Sequence, residues 1–392
     1  MSNPVSETSH NFDQILRRDQ TDSIKWQRYQ GQDVIPMWIA DMDFASPDAV
    51  IQALQSRVAE GVFGYGSVSS SMKDALCGWY ARHHNWVITP ESIVWLPGLV
   101  CGLHAVARAF APAGQSVMTH TPVYPPFLKL AERNQNHLQT VAMREPDAIT
   151  AQWTLDIEAM QAACTSDTRL FMFCNPHNPT GRVFTEYELQ QIADFCLENN
   201  LLICSDEIHC DLVLDQDKTH RPVAALNDQI AARSVTLVAP SKTFNIAGLA
   251  CSAAIIPDRK LRQQFKQSIQ GFLPEVNILG LVAAEAAFQQ GDSWRCQLID
   301  YLRQNRQQLK QWVDSRPELS MAAPEATYLG WIDCRTLEQE VPARYLLNES
   351  GVALSEGADF GLPGFVRINF GCPAAQLEEA LQRLDRALTT RC

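Results

Sequence analysis

Four short apolar runs in this chain are each followed by groups that can do chemistry. Leu170–Cys174 leads into Asn175-Pro-His-Asn178-Pro-Thr-Gly181, Leu201–Ser205 into Asp206-Glu-Ile-His209, and Val235–Ala239 into Pro240-Ser241-Lys242. Ser92–Leu96 leads into Pro97-Gly98 and then a stretch with Leu99, Leu103, Val106 and Phe110 on one helical face. Asn178 and Asp206 lie 28 residues apart, and Asp206 and Lys242 36 apart. Each interval suits one strand–helix–strand unit of about 30 residues. Open α/β sheets bind ligands at the carboxyl ends of their strands, so an amide, a carboxylate, an amine and a helix start are expected on one rim. That set answers the needs of pyridoxal phosphate (PLP). Its aldehyde takes an amine, its phosphate takes helix N–H groups, and its phenolic oxygen takes donors. Its pyridine nitrogen takes a carboxylate, which keeps the ring protonated and able to accept electrons.

The elements that position these groups can be read from the same runs. Strands apolar on both faces suit a parallel sheet buried between helices, and Gln115–Thr119 is a further strand of this kind. Between the Leu170 and Leu201 runs, Thr185 and Glu188 form a capping-box pattern, with Phe184 and Leu189 placed for a hydrophobic staple. The alternation points to an α/β sheet with right-handed crossovers. Beyond it, Asp292–Gln311 reads as a long polar helix, Tyr328–Ile332 and Phe365–Phe370 as strands, and Ala374 onward as an amphipathic helix. These predict a smaller α+β domain. The expected division is an N-terminal segment, 1–47, packing with the small domain, a large domain at 48–285, and the small domain at 286–392. A chain of 392 residues exceeds the roughly 250–300 at which single cores usually split.

Composition narrows the function classes. With 46% hydrophobic and 19% charged residues the chain is that of an ordinary globular protein. A formal charge of −12 argues against unspecific binding to nucleic acid or an anionic membrane. No apolar run reaches the roughly 18 residues of a membrane span. Met1 to Asp22 is polar, without a signal-peptide core, so a cytoplasmic protein is expected. The twelve cysteines are scattered with no Cys-x-x-Cys pair, which predicts reduced thiols and no metal site. Taken singly, each chemical feature is ordinary: Asn-Pro-Thr-Gly makes turns and aspartate caps helices. It is their joint order that carries the reading.

The set NPHNPTG, SDEIH and SKTFNIAGL resembles the fold type I PLP enzymes of the aspartate aminotransferase superfamily. Ile35-Pro-Met-Trp-Ile-Ala-Asp-Met-Asp-Phe44, with SDEIH and NFGCP, narrows the resemblance to the MalY/PatB branch of cystathionine and cysteine-conjugate β-lyases. It runs over nearly the whole chain. It implies a large domain with a mostly parallel seven-stranded sheet between helices, beside the smaller α+β domain. Carried over residue by residue, Lys242 matches the Schiff-base lysine, Asp206 the partner of the pyridine nitrogen, and Asn178 the donor to the phenolic oxygen. Tyr124 matches the aromatic that stacks on the ring, and Lys242, Asp206 and Tyr124 form the implied catalytic set. Gly98, Leu99 and Val100 fall where backbone amides hold the phosphate, and Ser241 adds a hydroxyl. Tyr65 matches a tyrosine that reaches the phosphate from a neighbouring subunit, which implies a homodimer. Arg367 matches the clamp on the substrate α-carboxylate, with Trp38 and Ala40 on the substrate side.

Two positions depart from the usual aminotransferase pattern. His209 stands where tyrosine is typical, so His209 is expected at the cofactor in its place. Ala250 stands where an arginine usually meets the phosphate. Both departures favour the lyase branch. The implied reaction is β-elimination: Lys242 removes the α-proton, a thiolate leaves, and pyruvate and ammonia result. An aminotransferase is the second reading, since it shares every step up to the carbanion. A regulatory protein-binding role is the third, and the presence of Lys242, Asp206, Asn178 and Arg367 together argues against it as the sole role.

Overall fold

The computed structural model describes residues 10–389. Residues 1–9, on which part of the leader reading rests, lie outside the described residues, as do 390–392. In chain order the strands are β1 (Ile35–Pro36), β2 (Ile93–Leu96), β3 (Ser116–Thr121), β4 (His137–Ala142), β5 (Thr168–Cys174) and β6 (Leu202–Asp206). They continue with β7 (Ser234–Val238), β8 (Ser252–Ile255), β9 (Leu329–Asp333), β10 (Val352–Ala353), β11 (Ser355–Glu356) and β12 (Phe365–Asn369). Seven of them form one sheet in the order β2-β8-β7-β6-β5-β3-β4. Only β8 runs antiparallel to its neighbours, so the expected mostly parallel α/β sheet is present.

The sequence of β5 shows why it sits mid-sheet. Successive side chains of a strand point to opposite faces. Leu170, Met172 and Cys174 join a core with helix Leu99–Phe110, while Phe171 and Phe173 join another with helix Glu186–Glu198. Both faces are therefore dry. The helix start at Thr185 is as the sequence predicts: Thr185 Oγ1 accepts from the Glu188 amide at 3.3 Å, and Glu188 Oε2 accepts from the Thr185 amide at 2.7 Å.

A second sheet, β11-β12-β9, is antiparallel and packs against helices Asp292–Asp314 and Pro342–Ser350. β1 pairs in parallel with β10. A buried ionic knot pins the segment that follows β1. Lys25 Nζ donates to Asp43 Oδ2 at 2.7 Å and to the Asp41 carbonyl at 2.9 Å, and Arg18 reaches Asp43 at 2.7 Å and Asp41 at 2.6 Å. Burial opposes charge on Asp43, but Lys25, Trp26 and Gln376 outweigh it and hold its carboxyl below the ordinary value. Asn369 Nδ2 donates to the Ile39 and Asp41 carbonyls, and Asn245 Nδ2 to those of Met42 and Phe44. Residues 39–44 are thus stretched between β12 and the loop that follows Lys242. Among the described residues no helix is long and apolar enough to cross a membrane.

Candidate active site

The central parallel strands finish level with one another. Cys174 at the end of β5 pairs with Asp206 at the end of β6, and Asp206 with Leu237 of β7. The loops that follow therefore open on one rim. Gly181 closes the first of them at φ +72°, and a Cβ there would lie 2.3 Å from Pro324 Cβ, so the NPHNPTG turn requires glycine at its end.

The rim encloses a cavity of about 270 Å³ lined by Ala40, Gly98, Leu99, Val100, Tyr124, Asn178, Asp206, His209, Ser241, Lys242 and Arg367. Two residues expected at the site are not in this group. Trp38 lines an adjoining vestibule of about 560 Å³, which shares Ile39, Tyr124 and Arg367 with the inner cavity. Tyr65 is fully exposed and lines neither space.

The charges in the inner cavity are unusually lonely. Asp206 is buried, and among the described residues its Oδ1 accepts only the Ile208 amide, at 3.1 Å. Burial pushes its carboxyl up to about 7. Arg367 is buried on β12 with no carboxylate in ion-pair reach among the described residues. Its Nη1 donates to Asn178 Oδ1 and its Nη2 to the Trp38 carbonyl, each at 2.9 Å, and burial brings the guanidinium down to about 10. A buried charge without a partner is costly, so the carboxylate calls for a cation and the guanidinium for an anion. Lys242 donates to the Ala40 carbonyl at 2.6 Å. Burial lowers its amine to about 8, with Arg367 adding to the fall and Asp41 and Asp206 opposing it.

These features fit PLP. Gly98 precedes helix Leu99–Phe110 without a side-chain cap, so the first N–H groups of the helix are left for an anion. Ser241 and Ala250 line the same cavity. Arg367 occupies the oxygen of the Asn178 amide, leaving its NH₂ to donate. His209 is buried, and burial together with Lys242 and Arg367 lowers its ring to about 3, so it is neutral.

The sequence reading missed Tyr328 and Ser355. The Tyr328 hydroxyl donates to the Ala40 carbonyl at 3.2 Å and its ring meets His209 edge-on at 6.0 Å. Tyr328 heads an apolar run, which reads as strand and nothing more. Ser355 donates to the Trp38 carbonyl and accepts from Arg367 Nη2 at 3.4 Å. It sits in a two-residue strand, too short for any periodicity to mark.

Known proteins resemble the chain over nearly its whole length. Cystathionine beta-lyase PatB of Bacillus subtilis (strain 168) is 39% identical over 391 residues, covering 97% of this chain and 100% of that protein. A crystal structure of OvoB matches with a TM-score of 0.94 at 45% identity, over 97% of this chain and 99% of that one. Cystalysin from Treponema denticola, whose crystal structure contains a pyridoxal 5'-phosphate cofactor, matches with a TM-score of 0.94 at 30% identity, over 98% of this chain and 100% of that one. The family model for aminotransferases of class I and II matches residues 32–384, and the chain belongs to that family.

Proposed function

We propose that the protein is a PLP-dependent carbon–sulfur β-lyase that cleaves cystathionine or a related cysteine S-conjugate to a thiol, pyruvate and ammonia. One observation carries this reading. A carboxylate with no direct ion pair (Asp206) and a guanidinium with no carboxylate in reach (Arg367), among the described residues, share one cavity with a lysine whose amine is brought down to about 8. The name and the coverage of PatB support the same choice among family activities.

PLP, when bound, supplies an electron sink for the charge left on the substrate α-carbon. Asp206 would keep a proton on the ring nitrogen, and Asn178 would donate to the phenolic oxygen. Tyr124 would pack on the ring, while the helix start at Leu99 and the Ser241 hydroxyl would hold the phosphate. Arg367 grips the substrate carboxylate through its two-pronged fork, already steered by Asn178 and the Trp38 carbonyl. Lys242 would hold the cofactor aldehyde before substrate arrives. Once freed, its amine takes the α-proton, a task suited to a base with a value near the working pH. The Ala40 carbonyl keeps Nζ in place. The C–S electrons leave with sulfur, and water completes the products.

Tyr65, exposed and remote from its own cavity, supports a homodimer in which it reaches the partner's phosphate site. The proposed organisation is an N-terminal segment 1–47, a large domain 48–285 and a small domain 286–392, in a cytoplasmic protein. The test is pyruvate release from L-cystathionine by the wild type and by Lys242→Ala. Steady release by the first and none by the second is expected. Equal release by both would refute the role of Lys242.

A further inference from the structure

The vestibule outside the cofactor cavity carries a charge opposite to that of the protein. The chain as a whole has a formal charge of −12. Yet the vestibule is lined by five cations, Arg28, Lys129, Arg133, Arg344 and Arg367, against two acids, Glu356 and Asp359. One of those acids is already engaged: Glu356 accepts from the Ala343 amide at 3.0 Å and from the Gly357 amide at 3.1 Å. None of Arg28, Lys129, Arg133 and Arg344 takes part in an ion pair among the described residues, whereas many arginines elsewhere do.

Besides Arg367 on β12, the cations come from three separate parts of the chain. Lys129 and Arg133 stand one turn apart on helix Pro125–Arg133, a spacing at which like charges repel. Arg133 gains from the helix C-terminus, but Lys129 in mid-helix does not. Arg344 comes from helix Pro342–Ser350, and Arg28 lies over the Trp38 ring at 4.8 Å. Convergence of unpaired cations from distant segments on one concavity focuses a positive potential there. The vestibule shares Arg367 with the inner cavity, so it is open to the sulfur substituent of a substrate whose α-carboxylate sits on Arg367.

We propose that the vestibule is the subsite for the leaving thiol, and that it selects cysteine S-conjugates whose thiol fragment carries an ionised carboxylate over those with a neutral one. Lys129 and Arg344 are its specificity-determining residues. This rests on the β-lyase reading above.

The test compares S-(2-carboxyethyl)-L-cysteine with S-(2-carbamoylethyl)-L-cysteine, which differ by carboxylate against amide at nearly constant shape. Pyruvate release gives kcat/KM, and quenching of tryptophan fluorescence gives the binding constant, since Trp38 lines the vestibule. The carboxylate should be preferred by about tenfold in the wild type, as one charge-assisted contact supplies. The preference should shrink with added salt and collapse in the double variant Lys129→Gln/Arg344→Gln. Glu132→Gln, on the same helix but outside the vestibule, should keep it. Equal turnover of the two compounds by the wild type, or a preference that survives the double variant, overturns the subsite. If neither compound yields pyruvate, the lyase reading falls instead. Binding then decides the subsite alone: tighter binding of the carboxylate upholds it, and equal binding overturns it.

Discussion

Replacing Asp206 by Asn should make the cofactor-free protein more stable and the cofactor-bound protein less so. The buried carboxyl has no cation within ion-pair reach among the described residues, Lys242 offsets its burial only in part, and its value rises from 3.8 to about 7. The folded form therefore holds this proton more tightly than the unfolded chain does. Below about pH 4 both forms are protonated and nothing is lost; the penalty grows as pH rises and levels off above about 7. A rise from 3.8 to about 7 is worth on the order of 4 kcal/mol, of which about 2–3 kcal/mol appears between pH 5 and pH 8. The assay is urea unfolding of wild type and Asp206→Asn, both stripped of PLP, across that range. The variant should gain on the wild type by about 2–3 kcal/mol from pH 5 to pH 8. With PLP present the order should reverse, because the wild-type carboxylate then has its cation and the amide does not. A difference that stays flat from pH 5 to pH 8 would refute the claim that Asp206 is a buried charge waiting for a partner.

Other outcomes follow from the same geometry. Arg367→Gln should lower kcat/KM about 10- to 100-fold, mostly through KM, since an ionic hydrogen bond to the substrate carboxylate is worth about 1.5–3 kcal/mol; an unchanged KM would exclude it as the clamp. Lys25→Met takes the fully buried cation from Asp43 and leaves it only the partly exposed Arg18, so unfolding should show a loss of up to about 3 kcal/mol, with activity falling as residues 39–44 loosen. Turnover should rise with pH through about 8, the range in which the Lys242 amine loses its proton, and a profile flat from pH 6 to pH 9 would speak against Lys242 as the base.

The rim that lines the inner cavity was legible because it obeys a rule of sheets. Apolar runs such as Leu170–Cys174 can be recognised without a structure, and a polar residue just beyond each must emerge at a strand end. That logic places Asn178, Asp206 and Lys242 in one cavity, where the structure also has them. Features without a periodic signal were not legible. The edge strand β4 is largely exposed and polar, so it resembles a loop in sequence. β8 has four residues and follows the irregular loop after Lys242. The hold of Asn369 and Asn245 on residues 39–44 joins positions more than two hundred residues apart, through single side chains that no local pattern marks. Trp38 was expected beside the substrate, and the structure sets its side chain in the outer vestibule while its carbonyl steers Arg367.

The most direct measurement follows the visible absorption of the PLP-loaded protein during reaction with L-cystathionine, with pyruvate assayed in the same cuvette. Pyruvate should continue through many turnovers, equal to the cystathionine consumed, while the cofactor band returns after each addition. A single equivalent of keto acid, matched by conversion of the cofactor to pyridoxamine phosphate, would contradict β-elimination and make the protein an aminotransferase.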